Sequence, residues 1–586
     1  MSKKKVIFLC LLLSALALLM YSALPKSEHA KEKNRQQEKV YDFEQGSGMK
    51  FSALSEQKID ELAKLGKVWG LMKYHHPKFI SSEANGDEEF FRTLHKILED
   101  HADVNAILYD WVKALDTEIV PEELQAPYRV LASSVQRSPN TGWVKDRQDL
   151  GGKLSLELSK LLTAHITERE GAYVSFKNAS GYFDMGRERP YYQMKFDDTG
   201  YRLLGLFRYW NIIEYYYPYK NQNGEDWDQV LREFIPKIIA GDDYDSYFKT
   251  LAELTARVHD SHVNLVGEKR KDVASTFGKY QLPVSFVEID GRIVIDQVFG
   301  DCGLKLGDIV LKIDGVDIQE IAKNRRTYIS QSREDTSPVF FRSLLRIDQR
   351  NASVAVNRRG KEIVVRASGF AYASEFQIST PSQVMENGDI YYMNAGKMQD
   401  AEVDRIMKEH RNTKGLIVDL RNHPKTELSY VLAEYLVSSP TEFALFSMPN
   451  RAIPGEFDYT QPEVSGRTAN TDHDLYQGKV VLLINEHTIS NGETVAMSLR
   501  NGKNVVLLGR PTAGANGDVV EFSLPGNIKT RISGFGVFDP EKGPIQGVGV
   551  QPDIYLQPTV EGIVQGKDEY IEKAIELIEE EAVFTR

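Results

Sequence analysis

From Asp389 onward the chain alternates between two textures. The short apolar runs "DIYYMNA", "GLIVDLR", "GKVVLLINEH" and "NVVLLGRPTAG" are separated by "AEVDRIMKEH", "LSYVLAEYLVSS" and "GETVAMSLRNG", whose apolar residues recur at helical spacing. Runs this short and continuous suit strands buried on both faces, and the intervening stretches suit the helices that cover them. Residues 376–560 therefore read as an α/β layered core, and 561–586 as a C-terminal helix.

A chain of 586 residues is too long for one hydrophobic core, so the expectation is a multidomain α+β protein. The N-terminus stands apart. "MSKKK" places lysines ahead of the apolar run "VIFLCLLLSALALLMYSAL" (Val6–Leu24). That is the layout of a secretory signal peptide over residues 1–24, and the run is also long enough to stay as a membrane anchor. Residues 25–50 are polar and charged without a hydrophobic period, and read as a linker. The hydrophobic and charged fractions, 41% and 27%, are those of a soluble globular protein, so a membrane contact is expected only through the N-terminal run. Of the two cysteines, Cys10 lies in the leader, so a cleaved chain keeps Cys302 alone and forms no internal disulfide. Export with a single cysteine suits a bacterial periplasm or cell envelope. A formal net charge of −12 argues against a nucleic-acid partner.

Residues 51–200 form a helical N-terminal region by their spacing, and 201–268 a second helical segment. "LAKLGKVWGLMKYHHP" (Leu62–Pro77) is similar to "YRLLGLFRYWNIIEYYYP" (Tyr201–Pro218). Trp69, Tyr74 and Pro77 match Trp210, Tyr215 and Pro218 at one offset, which suggests an internal helical repeat. His75, His76 and the tyrosine run are read as packing residues.

Residues 269–375 are β-rich. In "GLKLGDIVLKIDGVDI" (Gly303–Ile318), Gly303 and Gly307 allow turns, "DIVLKI" is a buried strand, and Asp314-Gly315 closes a hairpin. The segment resembles a PDZ domain of the bacterial protease type. That resemblance implies capture of a peptide C-terminus, added as a strand to a sheet edge.

Further stretches resemble one family. "TARVHDSHVNL" (Thr255–Leu265) is similar to a histidine-bearing motif of the tricorn-like and C-terminal processing serine peptidases. "KGLIVDLRNHP", "LLINEHTISNGETVA", "LLGRPTAGANG" and "GVGVQPDI" resemble that family's "DLRxNxGG" loop, nucleophile turn, following strand and closing "GVxPDI". The resemblance covers about residues 200–560 and implies a crotonase-like catalytic core with a PDZ module between its histidine and serine motifs.

Taken alone, Ser490-Asn491-Gly492-Glu493 is an S-x-x-E capping box and needs no catalysis. A serine at a helix N-terminus also sits beside unpaired amides that stabilise an oxyanion. With the resemblance, Ser490 is the expected nucleophile and His262 its base, preceded by Ser261. The lysine used by one branch of the family falls on Ala515, so a Ser-Lys mechanism is not expected. The family's acidic residue falls on Gln546, which can fix the imidazole tautomer but offers no charge; Glu541 and Asp260 are the alternative carboxylates. The family's glycine pair is replaced by Lys425-Thr426, so the amides of Lys425 and Asn491 are the expected oxyanion donors. His423, beside that loop, is read as an incidental surface residue. No metal-ligand spacing, P-loop or dinucleotide fingerprint is present in the sequence, and no cofactor is expected. The expected function is hydrolysis of peptide bonds by an exported serine peptidase. The alternatives are a catalytically impaired peptide-binding protein on the same fold, or a binder of small apolar ligands.

Overall fold

Caps and paired aromatics define the helical region. In this computed structural model, helix α1 (Glu56–His75) starts where the Ser55 hydroxyl accepts the Lys58 N–H, and α2 (Gly86–Ile97) starts at Asn85. Helices α3 (Thr199–Tyr216), α4 (Trp227–Ala240) and α5 (Tyr244–Ala256) are capped by Asp198, Asp226 and Asp243. The structure describes residues 43, 46–115, 134–177, 181–268, 271–334, 336–371, 378–385 and 388–584. The expected leader and most of the expected linker lie outside them. Among the described residues no helix is long and apolar enough to cross a membrane.

The internal repeat is visible in hydrogen bonds. The Trp69 indole N–H donates to the Gly86 carbonyl at 2.7 Å, and that of Trp210 to the Trp227 carbonyl at 2.6 Å, each acceptor 17 residues downstream. Helices α1 and α3 cross where a Cβ on Gly70 would lie 1.7 Å from the Asn211 side-chain oxygen, so only glycine permits the approach. Tyr74 packs edge-on against Tyr215 and Tyr216 at 5.3 and 5.1 Å. His75 and His76 are buried here; burial, aided by Arg169, pushes His75 down to about 3, so it packs as a neutral ring.

The β-rich region forms an antiparallel sheet from β1 (Val284–Ile289), β2 (Arg292–Val298), β3 (Ile309–Ile313), β4 (Asn351–Arg358) and β5 (Lys361–Ser368), in the spatial order β5-β4-β3-β2-β1. Asp314 and Gly315 close the turn after β3 with φ of 49° and 82°, as the Asp-Gly pair requires. Strands β1 and β5 are the two edges of the five.

The alternating region builds a parallel sheet from β6 (Ile390–Asn394), helix α6 (Asp400–Glu409), β7 (Gly415–Asp419), β8 (Lys479–Ile484), helix α7 (Asn491–Leu499) and β9 (Val505–Gly509). It continues past β10 (Ile528–Ser533), which belongs to a separate sheet, to β11 (Ile554–Tyr555) and helix α8 (Glu569–Phe584). The parallel order is β6-β7-β8-β9-β11. Alternate residues face opposite sides. Leu416, Val418 and Leu482 pack under Val403 and Ile406 of α6 and Val495 and Leu499 of α7. Ile417, Val481 and Leu483 pack under Tyr570, Ala574 and Ile578 of α8. The chain is thus a mixed α/β protein with several sheets. Loops leaving the carboxyl ends of β7, β8 and β9 come together, which is where open parallel sheets place their sites.

Candidate active site

The turn after β8 is fastened before it reaches Ser490. The Thr488 hydroxyl accepts the Asn485 N–H at 3.1 Å and donates to the Leu420 carbonyl at 3.1 Å, joining this turn to the loop after β7. Ser490 then adopts φ 57° and ψ −123°, a conformation that costs a side-chain-bearing residue on the order of 1–3 kcal/mol. Its N–H donates to the Ala515 carbonyl at 2.8 Å.

The capping box that Ser490-Asn491-Gly492-Glu493 suggests when taken alone does not form. The Ser490 side chain makes no bond to the first turn of α7, because the positive φ turns the hydroxyl away from the amides that an extended cap residue would reach. Glu493 faces the loop after β9 instead. Its buried carboxylate accepts the Thr512 hydroxyl, the Gly514 N–H at 2.8 Å and the Ala515 N–H at 3.0 Å. Burial pushes Glu493 up to about 7 against the opposing pull of these donors. Ala515, at the lysine position of the motif, is buried with its N–H and carbonyl both engaged.

Two amides near Ser490 are free. Neither the Asn491 N–H nor the Lys425 N–H has an acceptor among the described residues. The Asn491 side-chain amide donates to the Thr426 carbonyl at 3.0 Å and the Pro424 carbonyl at 3.4 Å. It therefore binds the peptide units flanking Lys425 to the start of α7.

His262 arrives on the loop that follows α5. Its backbone N–H donates to Asp260 Oδ1 at 2.9 Å, and its Nδ1 lies 3.0 Å from Ser533 Oγ at the end of β10. Ser533 Oγ donates to Asp260 Oδ2 at 2.7 Å. Asp260 is fully buried. Burial alone raises a carboxyl, but hydrogen bonds from His262 and Ser533 and the charge of His262 hold Asp260 below the usual range. Nε2 of His262 is buried and has no partner among the described residues. A charge on His262 is felt by Glu493 on α7 and by His423 after β7, so the imidazole lies within electrostatic reach of both. No hydrogen bond joins Ser490 to His262.

Three expected assignments meet different geometry. Gln546 is not bonded to His262; its amide donates to the His259 carbonyl at 3.2 Å and to Ser332 Oγ at 2.9 Å. Ser261 turns from the imidazole as well, accepting the Ser332 N–H at 2.9 Å and returning its own N–H to Ser332 Oγ at 2.9 Å. Both fasten the histidine loop to the segment around Ser332. Glu541 is exposed. His423 is exposed, as a surface residue should be; partial desolvation lowers its pKa, and the charge of His262 adds to that.

A cavity of about 530 Å³ opens beside this constellation, lined among others by Ser285 and Phe286 of β1, Phe341, His423, Lys425 and Ile489. It joins the edge strand of the antiparallel sheet to the loop carrying the free Lys425 amide. Among the described residues no cluster of His, Cys, Asp or Glu is placed to hold a metal ion.

Comparison with known proteins agrees with the motif reading. The sequence model for peptidase family S41 matches residues 388–556. A crystal structure of a CPAF mutant is similar with a TM-score of 0.50 at 15% identity, covering 65% of this chain and 96% of that one. The photosystem II D1 C-terminal processing protease gives a TM-score of 0.39 at 16% identity, covering 63% of this chain and 98% of that one. The tricorn protease gives 0.35 at 16% identity, covering 65% and 37%. At 15% identity the likeness to the CPAF mutant concerns fold alone, and the two lower scores add nothing to it. No match is found among curated proteins.

Proposed function

We propose that this chain, whose residues 388–556 belong to peptidase family S41, is a serine peptidase with Ser490 as nucleophile and His262 as base. Family membership supports the serine-type peptidase; the residue roles rest on geometry. The observations that carry them are the His262 ring, with Nδ1 engaged and Nε2 buried and unpartnered among the described residues, and a serine held on a strained strand-to-helix turn three residues before Glu493, whose carboxyl feels the His262 charge. Nε2 takes the proton of Ser490 Oγ as the oxygen attacks the peptide carbonyl. It then delivers that proton to the leaving amine, and water repeats the cycle on the acyl-enzyme. The Asn491 and Lys425 amides receive the oxyanion, and the positive end of α7 adds to their effect.

The peptide enters along the cavity between β1 and the Lys425 loop. Because β1 is an edge strand, the β-rich region of residues 269–375 captures the peptide by strand addition, as the PDZ resemblance implies. The leader directs the chain to the cell envelope.

Labelling with a fluorophosphonate probe tests the site without requiring the natural substrate. Wild type is expected to label, with Ser490→Ala unlabelled and His262→Ala slowed by ~10³ or more, both folded by circular dichroism. Labelling of Ser490→Ala at the wild-type rate removes Ser490. A wild type that binds peptides but neither labels nor cleaves favours the catalytically impaired binding protein, to which Gln546 and Lys425-Thr426 lend support.

A further inference from the structure

The motif places a carboxylate where this chain has Gln546, yet a different carboxylate stands behind His262. Asp260 Oδ2 accepts Ser533 Oγ at 2.7 Å and the Ser533 N–H at 3.3 Å. Oδ1 accepts the His262 N–H at 2.9 Å and lies 3.4 Å from His262 Nδ1. Ser533 Oγ is 3.0 Å from the same Nδ1. A hydroxyl has one proton and two acceptor sites. If Ser533 gives its proton to Asp260, its oxygen accepts from Nδ1–H, and Nε2 is left as the bare, basic nitrogen. If it gave the proton to Nδ1, a fully buried carboxylate oxygen would lose its hydroxyl donor, which is the costlier arrangement. Proton order therefore runs from Nδ1 through Ser533 to Asp260. Gln546 makes no bond to the ring: its amide hydrogens go to His259 and Ser332, and its Oε1, the atom that could accept an imidazole N–H, is buried without a partner among the described residues.

We propose that Asp260, acting with Ser533, is the positioning residue that holds His262 in its Nε2-basic tautomer and supplies the countercharge to its imidazolium. The inference rests on the reading of Ser490 and His262 as nucleophile and base. No bond of the substrate involves Asp260; it acts on the ring alone. The displaced acid is two residues from the histidine in sequence, and its hydroxyl bridge comes from β10.

The experiment is kcat and KM against pH on one fluorogenic peptide for wild type, Asp260→Asn, Ser533→Ala, Ser533→Thr and Gln546→Ala. The other titratable or charged groups acting near the ring are Glu493, His423 and Arg531, whose guanidinium donates to the His262 carbonyl at 2.7 Å; Tyr209, Tyr217 and Tyr219 lie within reach of the Asp260 charge, and burial keeps their hydroxyls protonated. None of these six is altered by the variants. Asp260→Asn is expected to lower kcat by ~10²–10⁴ with KM little changed. It should also move the ascending limb of the profile down by about one pH unit or more, because the imidazolium loses its countercharge. Ser533→Ala moves the limb in the same direction with a smaller loss, and Ser533→Thr, which keeps the hydroxyl, restores the wild-type midpoint. Gln546→Ala keeps that midpoint. A wild-type limb in Asp260→Asn, or a limb that follows Gln546→Ala instead, overturns the proposal. Should Asp260→Asn not fold, the Ser533 pair decides: an unmoved limb in Ser533→Ala overturns it.

A readout independent of activity separates this inference from the peptidase reading. In ¹⁵N-histidine spectra of Ser490→Ala, the His262 signal, assigned by its loss in His262→Gln, is expected to be the Nδ1–H tautomer above its titration. Removing the Asp260 charge should lower that titration. An Nε2–H tautomer overturns the proposal even if Ser490 labels. An Nδ1–H tautomer together with an unreactive Ser490 upholds it and rejects the nucleophile instead.

Discussion

Ser490 and Ala515 are joined backbone to backbone, the Ser490 N–H donating to the Ala515 carbonyl at 2.8 Å. Glu493 closes the loop from the other side by accepting the Ala515 N–H at 3.0 Å and the Gly514 N–H at 2.8 Å. The turn that presents the serine is thus fastened to the segment following β9, and a glutamate three residues on provides the fastening.

Replacing Glu493 with Ala leaves the Thr512 hydroxyl and two amides without their acceptor in a buried place. Unsatisfied buried donors cost roughly 1–3 kcal/mol each where water does not reach them. Glu493→Ala is therefore expected to lose roughly 3–5 kcal/mol in urea denaturation. A loss under about 1 kcal/mol means that the carboxylate is not what holds this loop.

The same carboxyl makes stability depend on pH. Its pKa rises from an ordinary 4.5 to about 7 on folding, so the folded chain binds more protons than the unfolded chain between those values. Stability from this group is complete below about pH 4.5 and is lost as pH rises through 7. At about 1.36 kcal/mol per unit, the loss across that window is roughly 3 kcal/mol. Glu493→Gln cannot titrate, so the wild-type minus mutant stability difference should fall by roughly 2–3 kcal/mol from pH 5 to pH 8. A flat difference shows that the three donors keep the carboxylate ionised throughout.

Ser490 itself bears backbone strain that glycine does not. At φ 57° and ψ −123° a Cβ is unfavourable, and glycine relieves it despite its larger entropy in the unfolded chain. Ser490→Gly should therefore unfold at the same temperature as Ser490→Ala or higher, the difference being ~1 kcal/mol in favour of Gly. A clearly less stable Ser490→Gly removes the argument that the turn is strained. Both variants lack the hydroxyl, so labelling is lost in each and stability alone is compared.

Much of the fold could be read from pattern, because its causes are local. The apolar runs of β7, β8 and β9 are buried on both faces, and continuous hydrophobicity signals that without knowledge of partners. Trp69 and Trp210 disclosed the repeat because each indole finds its carbonyl at the same downstream distance. The site was less legible. Asp260 and Ser533 are separated by 273 residues, and no spacing rule connects them. The S-x-x-E pattern at Ser490 indicated a cap, but a pattern does not carry φ, and the positive φ decides where the hydroxyl and Glu493 point. Gln546 aligned with the acidic motif position, while its amide was taken by His259 and Ser332, partners set by tertiary packing. His423 had no pattern at all, and nothing local says that the loop after β7 comes within reach of the His262 charge.

The Asn491 side chain offers a test of the oxyanion site that leaves nucleophile and base intact. Its amide donates to the Thr426 and Pro424 carbonyls and so holds the Lys425 peptide beside the start of α7. Both backbone donors survive in Asn491→Ala, because the substitution removes only the side chain. What changes is the freedom of the Lys425 loop, and a donor that must be ordered during reaction stabilises the transition state less than one already in place. Loss of one oxyanion donor costs ~10²–10³ in kcat, so loosening rather than removing it should cost ~10–10². KM should change little, since the oxyanion exists only in the transition state. The pH limb assigned to His262 should stay in place, which distinguishes this variant from Asp260→Asn. Asn491→Asp is the sharper comparison. A carboxylate in that position faces two carbonyl oxygens and the oxyanion together, and the repulsion should lower kcat further than Ala does. Equal kcat in wild type, Asn491→Ala and Asn491→Asp would show that the Lys425 loop is not part of the oxyanion site, leaving the Asn491 amide as the donor to test.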